Sequence, residues 1–178
     1  MQTGRQIGQM CFSYATDNSA NGNAYPADST GTAISQDLIN ANYATDPSVF
    51  GIPQQTGFTK ATTSGTTTTL VQQSVSWSFS TNTTNTTGGV TSTASDLIPL
   101  VFFNNGFGVA VAATLKATPG TSVPETYGAA APFGADGAAI FYKGNNATYL
   151  KATGATTGTI PTFISANCTD TTVYVIAP

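Results

Sequence analysis

The sequence contains no histidine and a single glutamate, Glu125. Without imidazole, histidine general bases, Ser-His-Asp and Cys-His catalytic arrangements and histidine-dependent metal clusters are excluded. Seven aspartates remain, and each stands alone beside turn or helix-start residues, at positions 17, 28, 37, 46, 96, 136 and 170. Such positions are typical of helix caps and turns. We therefore expect no enzymatic activity, no catalytic residue and no cofactor.

Charge is scarce: 7% of the 178 residues are charged, against about 25% in an ordinary soluble domain. Five residues are Lys or Arg and the net charge is -3, so the basic surface that nucleic acids require is missing. Hydroxyl and amide side chains must solvate the surface instead. This composition is typical of β-rich extracytoplasmic proteins and indicates a periplasmic or cell-surface location.

Long apolar runs are absent as well. No run reaches 18 apolar residues, and the opening residues MQTGRQIGQM lack the apolar centre of a signal peptide. The sequence therefore predicts no membrane span within this chain. Its length suits one domain with a substantial core, and no internal repeat is visible.

Cysteine is limited to Cys11 and Cys168, which lie almost a chain length apart. In an oxidising compartment a disulfide between them would close a long loop and stabilise the fold by about 3–5 kcal/mol. Two small buried thiols are the other interpretation, and the patterned helix around Cys11 favours it. The sequence leaves both alternatives open.

An amphipathic helix is predicted over residues 2–16. Ile7, Met10, Cys11 and Tyr14 fall at i, i+3, i+4 and i+7 and form one apolar stripe. We expect this stripe to pack the helix on the domain's own sheet. Gly8 weakens such a helix by about 1 kcal/mol relative to alanine, so tertiary packing must hold it.

The helix ends in DNSANGNAYPAD, which nearly fits the calcium-loop template. Asp17 takes position one, Gly22 position six and Asp28 position twelve. A calcium loop needs several carboxylates and a bidentate glutamate at its last position, but this stretch offers only two aspartates, and Pro26 falls inside it. We expect a helix-ending junction and no metal site.

Two further helical elements are predicted before the strands begin. A short helix should span residues 35–43 with Ser35 as its N-cap. Asp46 should cap a further turn that has Pro47 at its first position.

From about residue 57 the hydrophobic period changes from 3.6 to 2. Val75, Trp77 and Phe79 alternate with serines, which predicts a strand with one buried face and places Trp77 in the core. Hairpins are expected around residues 104–106 and 144–146, and a last strand in TTVYVIA. The segments 61–69, 81–93 and 118–137 are predicted loops. The result is one α+β domain, 1–178: helix in 1–20, short helices in 21–56, antiparallel sheet in 57–178.

Three segments, in this order, resemble bacterial type II secretion pseudopilin-like proteins. RQIGQMCFSYATDNSANGNAYP is similar to that family's RQIGLALxxYAxDNxGxYP, and LINANYATDPSVFGIPQ to its LxxxYLxDPxVFxCP. VSWSFS, SDLIPLVF and FGADGAAIFYKGNNATYL are similar to its closing strands. The chain departs from the family at Ile52, where the family has Cys, and at Ala138, where it has His after Asp-Gly.

The resemblance implies a pilin-like fold, in which residues 1–20 are the second half of a long helix that packs on an antiparallel sheet with long Thr/Gly-rich loops. In the family an apolar first half with a prepilin-peptidase site anchors the subunit in the inner membrane. We expect Met1 to lie downstream of such a segment. Only that upstream apolar helix, and no part of residues 1–178, would then contact the membrane.

The resemblance further implies a structural subunit of a pseudopilus or type IV pilus-like filament in protein secretion. Its partners would be copies of itself, other pseudopilins and the secretion machinery. The stripe of Ile7, Met10, Cys11 and Tyr14 would hold the helix on the sheet, and the opposite face would contact neighbours; that face carries Arg5, Gln6, Gln9 and Ser13. The alternative is an adhesin-like module of a pilus-like fibre, whose Thr/Asn/Gly loops would bind glycans or a protein.

Overall fold

The computed structural model describes residues 2–55, 57–81, 89–103, 114–117, 123–127, 137–151, 158–160, 165–168 and 173–176. Helix α1 spans Gln2–Asp17 and α2 spans Gly31–Asn40, and short 3-10 helices occupy Ser19–Asn21, Pro47–Phe50 and Gln72–Ser74. The strands are β1 Thr62–Ser64, β2 Thr67–Thr69, β3 Trp77–Thr81, β4 Pro99–Phe103, β5 Thr114–Ala117, β6 Val123–Tyr127, β7 Gly137–Tyr142, β8 Ala147–Lys151, β9 Gly158–Ile160 and β10 Val173–Ile176.

Six of these strands form one antiparallel sheet in the order β5-β10-β3-β4-β7-β8. Within the described residues β1 pairs with β2, and β6 with β9, as two smaller antiparallel units. Two helices followed by antiparallel sheets confirm the predicted α+β class.

Helix α1 lies across β4 and β7, the fourth and fifth strands of the sheet. Its glycines contact aromatic rings directly. A Cβ added at Gly8 would lie 1.9 Å from Cδ1 of Phe141, and one at Gly4 would lie 2.8 Å from Cζ3 of Trp77. Trp77 in turn packs edge-to-face on Phe103, with ring centroids 5.8 Å apart. The glycines that lower the intrinsic helix propensity are therefore the points where helix and sheet come closest.

The end of α1 follows the predicted junction. The Asn18 side-chain amide donates a hydrogen bond to the Tyr14 carbonyl at 2.8 Å, and the backbone then turns through left-handed conformations at Gly22 (φ 70°) and Asn23 (φ 54°). Glycine and asparagine are the residues that adopt this conformation most readily, so the helix stops here.

The second helix begins earlier than predicted. Thr30, not Ser35, is its N-cap, and Oγ1 of Thr30 accepts a hydrogen bond from the backbone N–H of Ala33 at 3.0 Å. Ser35 is fully buried inside α2, where its hydroxyl donates to the Gly31 carbonyl at 2.8 Å. The cap of the next element is confirmed: the Asp46 carboxylate accepts from the Ser48 N–H at 2.9 Å.

Strand β3 is buried on both faces, whereas the alternation predicted one buried and one exposed face. Trp77 and Phe79 are each 2% exposed, as predicted, but Ser76, Ser78 and Ser80 are equally buried. The Ser76 hydroxyl accepts a hydrogen bond from the Ile52 N–H at 2.9 Å, so this serine joins the sheet to the preceding segment. Serine is mostly exposed in proteins, so the sequence pattern predicts a solvent-facing residue. It is also small enough to pack beneath other chain segments, as it does here.

The predicted hairpins have different outcomes. β7 and β8 form the expected hairpin, with Asn145 in the left-handed region at φ 60°. β4 pairs with β3 and β7 and does not pair with β5. The turn of the other predicted hairpin, 104–106, and most of its second strand, 107–113, lie outside the described residues. Strands β1, β2 and β6 lie in segments that were predicted as loops.

Replacing Gly8 tests the contact between helix and sheet. In Gly8→Ala the new methyl group must displace Phe141, and overpacking of this kind costs about 1–3 kcal/mol. We expect the free energy of unfolding, measured in urea, to fall, and to fall less in a Phe141→Leu background. At an exposed position of α1, Ser13→Ala should leave it nearly unchanged. A rise of about 1 kcal/mol in Gly8→Ala, as helix propensity alone predicts, would contradict the contact.

Candidate functional site

The four residues of the predicted stripe lie on the sheet side of α1. Ile7 and Cys11 are fully buried, and Met10 and Tyr14 are partly buried against the same core. Gly4, Gly8 and Ala15 are buried beside them and were not part of the predicted stripe. Hydrophobic periodicity finds large apolar residues, whereas the small residues that let α1 approach the rings of the sheet carry no such signal.

A tyrosine pair joins α1 to the segment that follows α2. The rings of Tyr14 and Tyr43 pack edge-to-face with centroids 5.6 Å apart, and the Tyr43 hydroxyl donates to the Asp17 carboxylate at 2.8 Å. This hydrogen bond is the main reason why the pKa of Tyr43 is raised. Asp17, the first residue of the calcium-like loop, is therefore engaged in a tertiary contact.

The outward face of α1 is polar. Arg5, Gln6, Gln9 and Ser13 are all exposed, and their side chains have no partner among the residues that the structure describes. A groove of about 590 Å³ runs along one side of this face, and its opposite wall is the segment from Tyr43 to Gly51. The predicted position of these four side chains is thus the observed one, and their role in assembly stays a prediction.

A second depression, which we call the α1–β8 trough, runs along the other side of the helix. Its polar part, about 730 Å³, is lined by Gln2, Arg5, Gln6, Gln9, Asn145, Asn146 and Ala147. Its apolar part, about 350 Å³, is lined by Gly8, Gln9, Phe12, Tyr25, Leu100, Phe141, Lys143 and Asn145. The two parts share Gln9 and Asn145 in their linings and so lie next to one another.

Phe12 lies in this trough and does not belong to the apolar stripe that the periodicity predicts. Its side chain is 60% exposed although it lies on α1 directly beside the buried Gly8. The floor of the apolar part is formed by buried Tyr25 and Phe141. Tyr25 is held in place because its backbone N–H donates to the Val90 carbonyl at 2.9 Å. Burial is the main reason why the pKa of Tyr25 is raised.

Among its described lining residues, the trough carries positive and no negative side chains. Lys143 is almost buried, and its ammonium donates to the Asp96 carboxylate at 2.8 Å, which offsets its charge. The backbone N–H groups of Lys143 and Gly144 donate to the carbonyls of Ile98 and Asp96, so the β7–β8 turn is anchored. Arg5, in contrast, has no acidic partner within the described residues. Among the described lining residues, the charge that is not offset is therefore that of the Arg5 guanidinium.

In the stretch from Asp17 to Asp28 the two carboxylates bind different partners and do not form a common site. Asp17 accepts from Tyr43, and the Asp28 carboxylate accepts from the backbone N–H and the hydroxyl of Ser29. Within the described ranges no three Cys, Asp or Glu side chains come together as metal ligands. Ala138 pairs with Leu150 between β7 and β8; the family that the sequence resembles has histidine at this position. Asp136 lies outside the described residues.

Helix α2 presents a glutamine that binds a strand. The Gln36 amide donates from Nε2 to the Thr68 carbonyl at 2.9 Å, and its Oε1 accepts from the Leu70 N–H at 2.9 Å. One carboxamide thus satisfies a C=O and an N–H of the same extended segment, as a neighbouring strand would. This contact fixes the β1–β2 hairpin, whose residues are otherwise almost all exposed.

No protein-family model, curated protein or solved structure gives a match to this chain. None of the helices in the described ranges is long and apolar enough to cross a membrane. Function is therefore inferred from the residues and their geometry.

The two cysteines are free thiols, and both are buried. Burial raises the pKa of Cys11 to about 12, so hardly any nucleophilic thiolate forms near pH 8. We expect Ellman's reagent to label neither cysteine in the native protein and both in urea. In the variant Cys168→Ser, the remaining thiol of Cys11 should react without urea only as fast as the protein unfolds. A mass two hydrogens lower without reductant would instead reveal a disulfide and contradict this arrangement.

Proposed function

We propose that the chain is a structural subunit of a pseudopilus or type IV pilus-like filament in type II protein secretion, with a pilin-like fold. The observation that carries this proposal is the division of α1 into two faces. Ile7 and Cys11 bind the helix to the sheet, while the face around Gln6 and Gln9 stays polar and unpaired within the described residues. A filament built around helices requires a helix that is anchored in its own subunit and still open to neighbours.

The order of elements supports the same proposal. The chain begins with a helix, continues through a segment with short helices and ends in an antiparallel sheet. The family-like sequence segments lie on α1, on Pro47–Phe50 with its Asp46 cap, and on β3, β4, β7 and β8. Low charge suits a subunit that must lie close to many copies of itself, because like-charge repulsion is small. Its partners would be copies of itself, other pseudopilins and the secretion machinery, in the periplasm or at the cell surface.

The reading frame upstream of Met1 tests the filament proposal. We expect a short basic leader, a prepilin-peptidase site and about 20 apolar residues, the length that spans a bilayer. An ordinary signal peptide without an apolar helix would contradict it. In cells that make the full-length protein, a Gln6→Cys variant should cross-link between copies under oxidation. Lys60→Cys, exposed outside α1, is the matched control and should cross-link less.

The β1–β2 hairpin favours the second candidate, an adhesin-like module of a pilus-like fibre. Four side chains of this hairpin are exposed and, by the register of the two strands, share one face: Thr62, Ser64, Thr67 and Thr69. On the opposite face the Oγ1 atoms of Thr63 and Thr68 lie 3.3 Å apart. Hydroxyl groups held in such an array can hydrogen-bond the hydroxyls of a glycan. Trp77, only 2% exposed, cannot stack on a sugar.

A glycan array with the folded chain tests this candidate. Binding that is lost in Thr62→Ala/Thr67→Ala and retained in Thr91→Ala/Thr93→Ala, away from the hairpin, would support it. An array without any signal for the parent protein would dismiss it.

A further inference from the structure

The carboxamides of the α1–β8 trough are unused. Gln2, Gln6 and Gln9 line it from the helix, Asn145 and Asn146 line it from the β7–β8 turn, and none of these side chains has a partner among the described residues. Each carboxamide can donate to a backbone C=O and accept from a backbone N–H, which are the two polar groups that an extended segment presents.

The molecule already contains one example of this recognition. Gln36 on α2 holds the extended segment from Thr68 to Leu70 through a C=O and an N–H, both at 2.9 Å. The glutamines of α1 are carried by a helix in the same way, but nothing within the described residues occupies their amides. The trough is therefore equipped to bind an extended chain.

The dimensions of the trough agree with such an occupant. From Gln2 to Phe12 a helix rises about 15 Å, at about 1.5 Å per residue. A strand covers that distance with about five residues, at about 3.3 Å each. One end of the trough is the apolar part of about 350 Å³ beside Phe12, which has room for one aromatic or aliphatic side chain.

Charge decides which chain fits. Arg5 lies in the trough without an acidic partner within the described ranges. The Lys143 charge is offset by Asp96, and the lining residues that the structure describes include no carboxylate. In a chain of net charge -3 this is a site that attracts anions.

We propose that the α1–β8 trough binds an extended, acidic peptide segment of a partner protein, with one apolar side chain inserted beside Phe12. The segment's backbone pairs with the carboxamides of Gln6 and Gln9, and its carboxylate pairs with Arg5. This inference concerns a ligand and does not require that the chain polymerise.

The probe is a pentapeptide, acetyl-Glu-Thr-Phe-Thr-Glu-amide, titrated to millimolar concentration into the ¹⁵N-labelled protein. We expect saturable shifts of the side-chain amide signals of Gln6, Gln9 and Asn145, which weaken as salt is added because charged pairs are screened. The charge-reversed peptide, with Lys in place of Glu, and the peptide with Ala in place of Phe should each bind at least about fivefold more weakly, a loss of about 1 kcal/mol.

Matched variants separate the trough from the rest of the surface. Arg5→Glu, Gln9→Ala and Phe12→Ala should each weaken binding about fivefold or more; all three side chains are exposed, so the fold should be retained. The controls Lys60→Glu, Gln54→Ala and Val71→Ala change exposed residues of similar type outside the trough and should bind like the parent.

Three results would overturn the proposal: equal binding of the charge-reversed peptide, equal effects of trough and control variants, or no shift at millimolar peptide. Shifts of the same amide signals with increasing protein concentration alone would assign the trough to a second copy of this chain and would also overturn it.

Discussion

The close approach of α1 to the rings of the sheet is the contact on which the rest of the structure depends. Gly4 lies against Trp77 and Gly8 against Phe141, at distances that leave no room for a Cβ. Each glycine lowers the intrinsic stability of the helix, so α1 is held chiefly by this packing and by the burial of Ile7 and Cys11. A helix with so few charges and no helix-stabilising ion pairs would not persist without the sheet beneath it.

That contact also creates the surfaces with functional interest. Because α1 lies low across β4 and β7, its polar face stands between two depressions, one towards Tyr43 and one towards the β7–β8 turn. Phe12 lies at the border between the buried glycine side and the solvent side, which is why a large apolar ring remains exposed there. Both the filament proposal and the peptide proposal depend on this one helix, but on different properties: the first on its two faces, the second on its carboxamides and Arg5.

Carboxamides and hydroxyls perform much of the work that ion pairs perform in more charged proteins. Gln36 ties the β1–β2 hairpin to α2, Asn18 closes α1, and Ser76 joins β3 to the segment at Ile52. These uncharged hydrogen bonds carry no long-range repulsion and depend little on salt. The arrangement agrees with the composition, in which only 7% of residues are charged.

Local patterns determined much of this protein: the helix at 2–16 and its inward stripe, the junction at Asn18 to Asn23, the Asp46 cap, the β7–β8 hairpin and the α+β class. Those features follow from periodicity, caps and left-handed residues, which act over a few neighbours. The tertiary structure alone decided that β4 pairs with β7 and not with β5, that the serines of β3 are buried, and that Gly4 and Gly8 are contact points. It also decided which residues form the trough, because distant segments meet there, and the burial of a small residue depends on what covers it.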